Sequence, residues 1–381
     1  MKFQNTILVC ASLVSGLATS ALVADVPSFN PRPRMLGMGG TGVAISGSRE
    51  SAMMNPAALS DVTRTKFETL PILMEVPFDM GIVSDFLDFK DVTDDETSTD
   101  AEKRAAFQTF SESIASIATA TRVNLYPSWT KNDLHIGLLA DVFVNPRFRI
   151  GGVTSDQVVE LGGSNGTTGL VVGGSRSFLQ NRLRVGATIK ALYRVDLTAE
   201  QEVTVYDLLI GQDTSSTVDQ IFGDPVADRR GFGFGLDLGA RYDLPFLEDV
   251  LRPSVGMTWQ DIGSTRFVAN KDSRPNSIPQ SISAGLAIHP DWKLLRNTVA
   301  LDLRNIQESQ EFMNKLHLGL EMVVWDILAF RGGLAQGYFS TGVSLLTRIL
   351  EAEVFLAARE AGKKANVQAI KTLGLKVSLG F

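Results

Sequence analysis

The last stretch of the chain alternates without a break: Leu373, Leu375, Val377, Leu379 and Phe381 are apolar, while Gly374, Lys376, Ser378 and Gly380 are small or polar. A period of two sends successive side chains to opposite faces of a strand. A strand of this length that ends on an aromatic residue suits the closing strand of an outer-membrane barrel, with lipid against one face and a wet lumen against the other. Phe381 is then the assembly signal read by the barrel-assembly machinery, and outer-membrane lipid is a partner. An amphipathic edge strand of a soluble protein would alternate in the same way. Other features have to choose between them.

The amino-terminus favours the barrel. Lys2 precedes an apolar run from Ile7 to Val14, followed by small residues at Ser15, Gly16, Ala18, Ser20, Ala21 and Ala24. This is the layout of an export signal over residues 1–24, with cleavage after Ser20 or after Ala24. Cys10, the only cysteine, has too few residues before it to be a lipidation site, and its removal leaves no thiol for a disulfide or a metal. No stretch reaches the roughly 18 apolar residues of a spanning helix. With 36 Lys+Arg against 42 Asp+Glu the chain has no basic surplus for nucleic acid.

Internal segments repeat the pattern of the closing strand. Val185, Ala187, Ile189, Ala191, Tyr193 and Val195 oppose Arg184, Thr188, Lys190 and Arg194. Phe232, Phe234, Leu236 and Leu238 oppose Gly233, Gly235, Asp237 and Gly239. Leu316, Leu318, Leu320 and Met322 oppose His317, Gly319 and Glu321, and Val354 and Leu356 stand against Glu351, Glu353 and Arg359. Faces of this length match tilted transmembrane strands of about 9–11 residues better than soluble strands of about 5–6. Tyr126, Trp129, Tyr242, Trp259, Trp325 and Tyr338 fall near the ends of such runs, where an interfacial aromatic belt is expected.

Two regions break the rhythm. Residues 81–119 carry Ile82, Phe86, Phe89, Phe107, Phe110 and Ile114 at helical spacing around an acidic stretch, and predict a two-helix insertion whose second helix is capped by Ser98 or Thr99. Residues 206–230 contain five aspartates and predict a long solvent loop with a short helix. The remaining length has room for about 14 strands, within a range of about 12 to 16. The expected fold is all-β: a transmembrane antiparallel barrel over residues 65–381, with an N-terminal hatch or plug over residues 25–64 and a small helical insertion.

Residues 34–60 read Arg-Met-Leu-Gly-Met-Gly-Gly-Thr-Gly-Val-Ala-Ile-Ser-Gly-Ser-Arg-Glu-Ser-Ala-Met-Met-Asn-Pro-Ala-Ala-Leu-Ser. Gly37, Gly39 and Gly42 satisfy G-x-G-x-x-G, but Pro31 and Pro33 lie where a strand must lead into a nucleotide-binding turn, so the dinucleotide reading fails. The glycines, Gly40 among them, suit close packing of a plug against barrel walls. Read whole, this run followed by Asn55-Pro56-Ala57 resembles the start of the FadL/TodX-type outer-membrane transport superfamily and of its PorV-type and TraF-like relatives. Carboxy-terminal pieces such as residues 315–321 and 330–338 look more like the PorV and TraF-like branch. The resemblance implies a monomeric barrel of about 14 strands whose amino-terminal segment folds inside as a hatch, with small hydrophobic ligands bound near it in the fatty-acid branch. Gly37, Gly39, Gly40, Gly42, Asn55 and Pro56 are the expected hatch and gating residues.

No catalytic or metal chemistry is legible, and no cofactor is expected. His135, His289 and His317 are far apart in sequence and lack partners at metal-ligand spacing. The lumen cations Arg184, Lys190, Arg194, Arg304 and Arg331 are expected to pair with Asp237, Asp302, Glu321, Glu351 and Glu353. Three functions follow, none of them enzymatic: a passive conduit for small hydrophobic compounds gated by the hatch, a non-transporting barrel that anchors or shuttles partner proteins, or a general porin.

Overall fold

The computed structural model describes residues 32–380 except 46, 48–49, 63–64, 79, 96, 116–120, 132, 145–146, 151–156, 161–163, 199, 203–225, 270–273, 293 and 361–368. The export signal, Cys10, the first residues of the expected hatch and Phe381 lie outside the described residues.

Alternation becomes one closed sheet of fourteen antiparallel strands. The first three are β1 (Lys66–Glu68 and Ile72–Pro77), β2 (Thr121–Leu125 and Ser128–Lys131) and β3 (Leu134–Val144). Then come β4 (Ser164–Phe178), β5 (Leu183–Thr198), β6 (Val226–Asp243) and β7 (Ser254–Gln260 and Phe267–Val268). The next four are β8 (Ser281–Ile288 and Asp291–Trp292), β9 (Leu295–Leu303), β10 (Leu316–Val324) and β11 (Leu328–Ala335). The ring ends with β12 (Tyr338–Leu346), β13 (Leu350–Glu360) and β14 (Ala369–Leu379). Each strand pairs with its neighbours in sequence. β1 meets β14 with Ile72 opposite Val377 and Glu75 opposite Gly374. Closure leaves the barrel sheet without an edge strand; a separate three-stranded sheet is formed by Arg147–Ile150, Gln157–Glu160 and Glu200–Glu202.

The register sorts the two faces of the sheet. Ile189, Leu318, Leu320, Val354 and Leu375 point out and are exposed, as is Phe234 at 76%. Lys190, Asp237, His317, Glu353 and Lys376 point in and are buried. No helix among the described residues is long and apolar enough to cross a membrane. Apolar clusters lie within the ring instead, one around Met53 with Tyr126, Leu139, Val171 and Leu192, another around Met38 with Ala44, Ile45, Ala287 and Ala300. The core of this protein is therefore built on its amino-terminal segment.

That segment contains α1 (Pro33–Gly37), α2 (Ser51–Met54) and a 3-10 turn (Pro56–Asp61). The Asn55 side chain caps the 3-10 turn by accepting from the Ala57 N–H at 3.1 Å, and Pro56 starts it with the backbone angle a helical first turn requires. Between β1 and β2 the expected helical insertion is α3 (Met80–Asp94) followed by α4 (Asp100–Ala115). Phe86 and Phe89 meet Phe110 with ring centroids 5.6 Å apart. The cap of α4 is Thr99: its backbone N–H donates to the Glu102 carboxylate and the Glu102 N–H donates back to its hydroxyl, a capping box.

Two expectations change. Of the loop expected over residues 206–230, residues 206–225 lie outside the described residues and strand begins at Val226. Ala227, Arg229 and Arg230 pair with Leu197, Asp196 and Val195, with Asp228 as the extra residue of a bulge, so this pairing overrides the local loop signal. Tyr126 is not part of an outer aromatic belt. It lies on the inward row of β2 with Asn124 and Ser128, is buried, and shares a 2.7 Å hydrogen bond with His135.

Candidate functional site: the lumen and the segment that fills it

An irregular backbone buried inside a barrel must find hydrogen-bond partners outside itself. The wall supplies them. The Asp302 carboxylate accepts from the Gly42 N–H at 2.6 Å and the Val43 N–H at 2.9 Å. His317 Nδ1 donates to the Gly39 carbonyl at 2.6 Å, Ser254 Oγ to Ala44 at 2.9 Å, Thr188 Oγ1 to Ala52 at 2.6 Å and Gln260 Nε2 to Met53 at 2.6 Å. Asn55 Nδ2 donates both to Val43 within the segment and to Ala240 on β6. Its amide thus ties the turn to the wall.

Close approach is made possible by glycine on both sides. Gly39 has φ +67°, a left-handed conformation that side chains disfavour, and a Cβ there would run into the Leu318 and Leu334 backbones. On the wall, a Cβ at Gly333 or Gly319 would strike Met38 and its neighbours, and one at Gly239 would strike Asn55 and Pro56. Gly37 faces Gly342, Gly40 lies against His317, and Gly42 lies against Met35 and Met54. The inward positions that read as merely small in the sequence are where the segment touches the wall.

Charges close a circuit through the lumen. Arg34, from α1, forks onto Glu321 with contacts of 2.9 and 2.6 Å. Glu321 on β10 also accepts from Arg331 Nε at 2.7 Å, and Arg331 on β11 reaches Glu353 on β13 at 2.8 Å. Lys376 on β14 lies 3.3 Å from Glu353 and 3.3 Å from Glu50, which returns the chain of charges to the amino-terminal segment just before α2. At its far end Asp61 pairs with Arg184, 2.9 Å away, and with Arg241. Buried ion pairs are specific because each partner left alone is costly. Bidentate arginine–carboxylate contacts add directional strength.

Some expected lumen pairs come together and some do not. Lys190 meets Asp237 at 2.7 Å, and also Asp261 at 2.7 Å, while Arg331 meets Glu321 and Glu353. Arg184 pairs instead with Asp61 and Asp243, and Arg194 with Asp196 at 2.7 Å. Asp302 holds backbone N–H groups, and Arg304 donates to the Gly40 carbonyl at 3.3 Å. Glu351 stands on the inward row of β13 with Glu353, half-buried. Sequence reading missed Arg34, Glu50, Asp61, Arg241 and Lys376. The available signal was charge inside a glycine-rich segment expected to be buried, which obliges the wall to carry counter-charges.

A cavity of about 180 Å³ remains between this segment and the end of the barrel that carries the long connections. Leu36 and Met53 of the segment, Ile278, Arg304 and His317 of the wall, and Arg32 line it. Among the described residues no group of three or more His, Cys, Asp and Glu side chains could hold a metal ion.

Fold and lumen define the class: a closed fourteen-strand antiparallel barrel with its amino-terminal segment packed inside. No family profile and no curated protein matches the chain. Among solved structures it is similar to the CymD monoaromatic hydrocarbon channel, at 13% identity and a TM-score of 0.48 over 93% of this chain and 98% of that one. It is similar also to the toluene transporter TbuX of Ralstonia pickettii (13% identity, TM-score 0.49, 93% and 99%) and to the toluene transporter TodX of P. putida (11%, 0.49, 93% and 98%). A likeness at this level does not carry an activity from one chain to another.

Proposed function

We propose that the protein is a monomeric outer-membrane barrel whose amino-terminal segment is a hatch that keeps the lumen shut at rest, and that it serves as a gated conduit for small hydrophobic compounds. The observation that carries this reading is the lumen itself, where the described residues from Arg34 to Asp61 are packed against the wall by apolar contacts, hydrogen bonds and ion pairs. The apolar outer face, with Ile189, Phe234 and Leu320 exposed, supports immersion in lipid. The cavity has an apolar side formed by Leu36, Met53, Ile278 and Ile370, and it stops on the hatch. It is a vestibule, and passage requires the hatch to move. This argues against a general porin.

A second reading is a non-transporting barrel that anchors partner proteins. The circuit from Arg34 through Glu321, Arg331, Glu353 and Lys376 to Glu50 favours it, because a permanently fixed plug needs such a lock. Deleting residues 27–60 separates the two. If the hatch gates passage, the deletion raises single-channel conductance in a planar bilayer while the barrel still folds. Unchanged conductance removes the gate and leaves the anchoring role.

A further inference from the structure

Three guanidinium groups line the vestibule, those of Arg32, Arg304 and Arg359, and among the described residues the first two form no ion pair. Arg32 leads into α1, and Arg304 follows β9 on the wall; both line the cavity. Arg34, Arg184, Arg194, Arg241, Arg331 and Lys190 each reach a carboxylate, whereas among the described residues Arg32 and Arg304 make no ion pair. Arg32 donates to the Met53 carbonyl and to the Met54 sulfur, Arg304 to the Gly40 carbonyl, and the Nε of each is buried without an acceptor. Of the acidic groups along the cavity, Asp261 is held by Lys190, and neither Glu75 nor Glu308 forms an ion pair with Arg32 or Arg304.

Arg32 is only 7% exposed. A buried cation without a direct ion-pair partner is expensive, and a second cation beside it adds repulsion. Burial and the Arg304 charge push the Arg32 guanidinium down to about 10, against the weaker opposing pull of the Glu50 and Asp237 carboxylates, which leaves it cationic at neutral pH. Both groups keep donor N–H capacity, and Ser281 and Asn305 add polar atoms to the same cavity.

We propose that the vestibule is a binding site for a small phosphate-bearing anion, held between Arg32 of the amino-terminal segment and Arg304 of the wall. Each guanidinium fork takes two oxygens, so two forks can share a phosphate more fully than a carboxylate with its single pair. A bound anion bridges segment and wall. The site exists whether or not the barrel conducts.

Calorimetric titration of the detergent-solubilised barrel with inorganic phosphate and with glycerol phosphate, in chloride buffer of constant ionic strength, tests this. Saturable single-site binding of phosphate is expected, weakened about tenfold or more by Arg304→Gln and partly restored by Arg304→Lys. Arg296→Gln, in an exposed ion pair with Asp326, should leave binding unchanged. Heat-shifted gel mobility verifies that each variant is folded, and Arg32→Gln gives a second test from the other side of the cavity. Binding of inorganic phosphate alone identifies free phosphate as the ligand; binding of both identifies the phosphate group of a larger solute. No saturable binding by the wild-type barrel, or equal affinity in folded Arg304→Gln, overturns the proposal.

Discussion

The strands and the segment they enclose are stabilised by opposite means. A strand such as β10 satisfies its backbone through ladders on both sides and sorts its side chains by a period of two, so Leu318 and Leu320 face out while His317 and Glu321 face in. The described residues between Met38 and Leu59 form only short helical turns and irregular backbone, and wall side chains such as Asp302, His317 and Gln260 satisfy several of their polar backbone groups. The wall tolerates substitution by rule, according to face. The segment depends on individual partners, and losing one strands a buried charge or a buried amide.

Four perturbations test this contrast, in decreasing order of effect. Glu321→Gln removes the carboxylate shared by Arg34 and Arg331, and should cost about 3–5 kcal/mol in urea unfolding of the reconstituted barrel. A cost as small as that of an exposed pair would show that the circuit does not hold the segment. Leu320→Arg, at the middle of an outward row, should cost about 2–4 kcal/mol in the same assay; a neutral result would mean that this face does not meet lipid.

Gly333→Val pushes a branched side chain into Met38 and Gly39, and overpacking of this kind costs about 1–3 kcal/mol. The damage should appear as protease cleavage within residues 33–61 before any loss of sheet signal. Smallest is Thr99→Ala, which breaks the α4 capping box outside the barrel. Hydrogen bonds from Thr99 hold the Glu102 carboxyl below the usual carboxylate range. Because the folded value is depressed, this contribution is present above the unfolded value and is lost as pH falls through the folded one. Helical signal should therefore fall at acid pH in the wild type, Thr99→Ala, which keeps the backbone N–H but loses the hydroxyl, should reduce that dependence, and barrel melting should not change.

Much of the wall was legible because alternation is a local property: Lys190 and Ile189 declare their faces from adjacent positions. The capping box was legible for the same reason, with both members within four residues. The segment's partners were not, since Arg34 and Glu321 are separated by 287 positions and an irregular backbone gives no period from which to infer its neighbours. Arg184 illustrates the limit. Its inward face followed from β5, but its partner Asp61 lies in the amino-terminal segment, and nothing in the local pattern points there. The lost strand start at Val226 has another cause: Asp228 and Arg229 read as loop, while long-range register sets Arg229 opposite Asp196 and leaves Asp228 in the bulge beside it.

The described residues from Met38 to Asp61 are a wall-bonded part of the folded barrel. Amide hydrogen exchange of the reconstituted protein measures this directly. The N–H groups of Gly42 and Val43, which donate to Asp302, should exchange as slowly as the ladder amides of β9 and β10 and should speed up in Asp302→Ala. Fast exchange across the segment in a barrel whose ladders remain protected would contradict it.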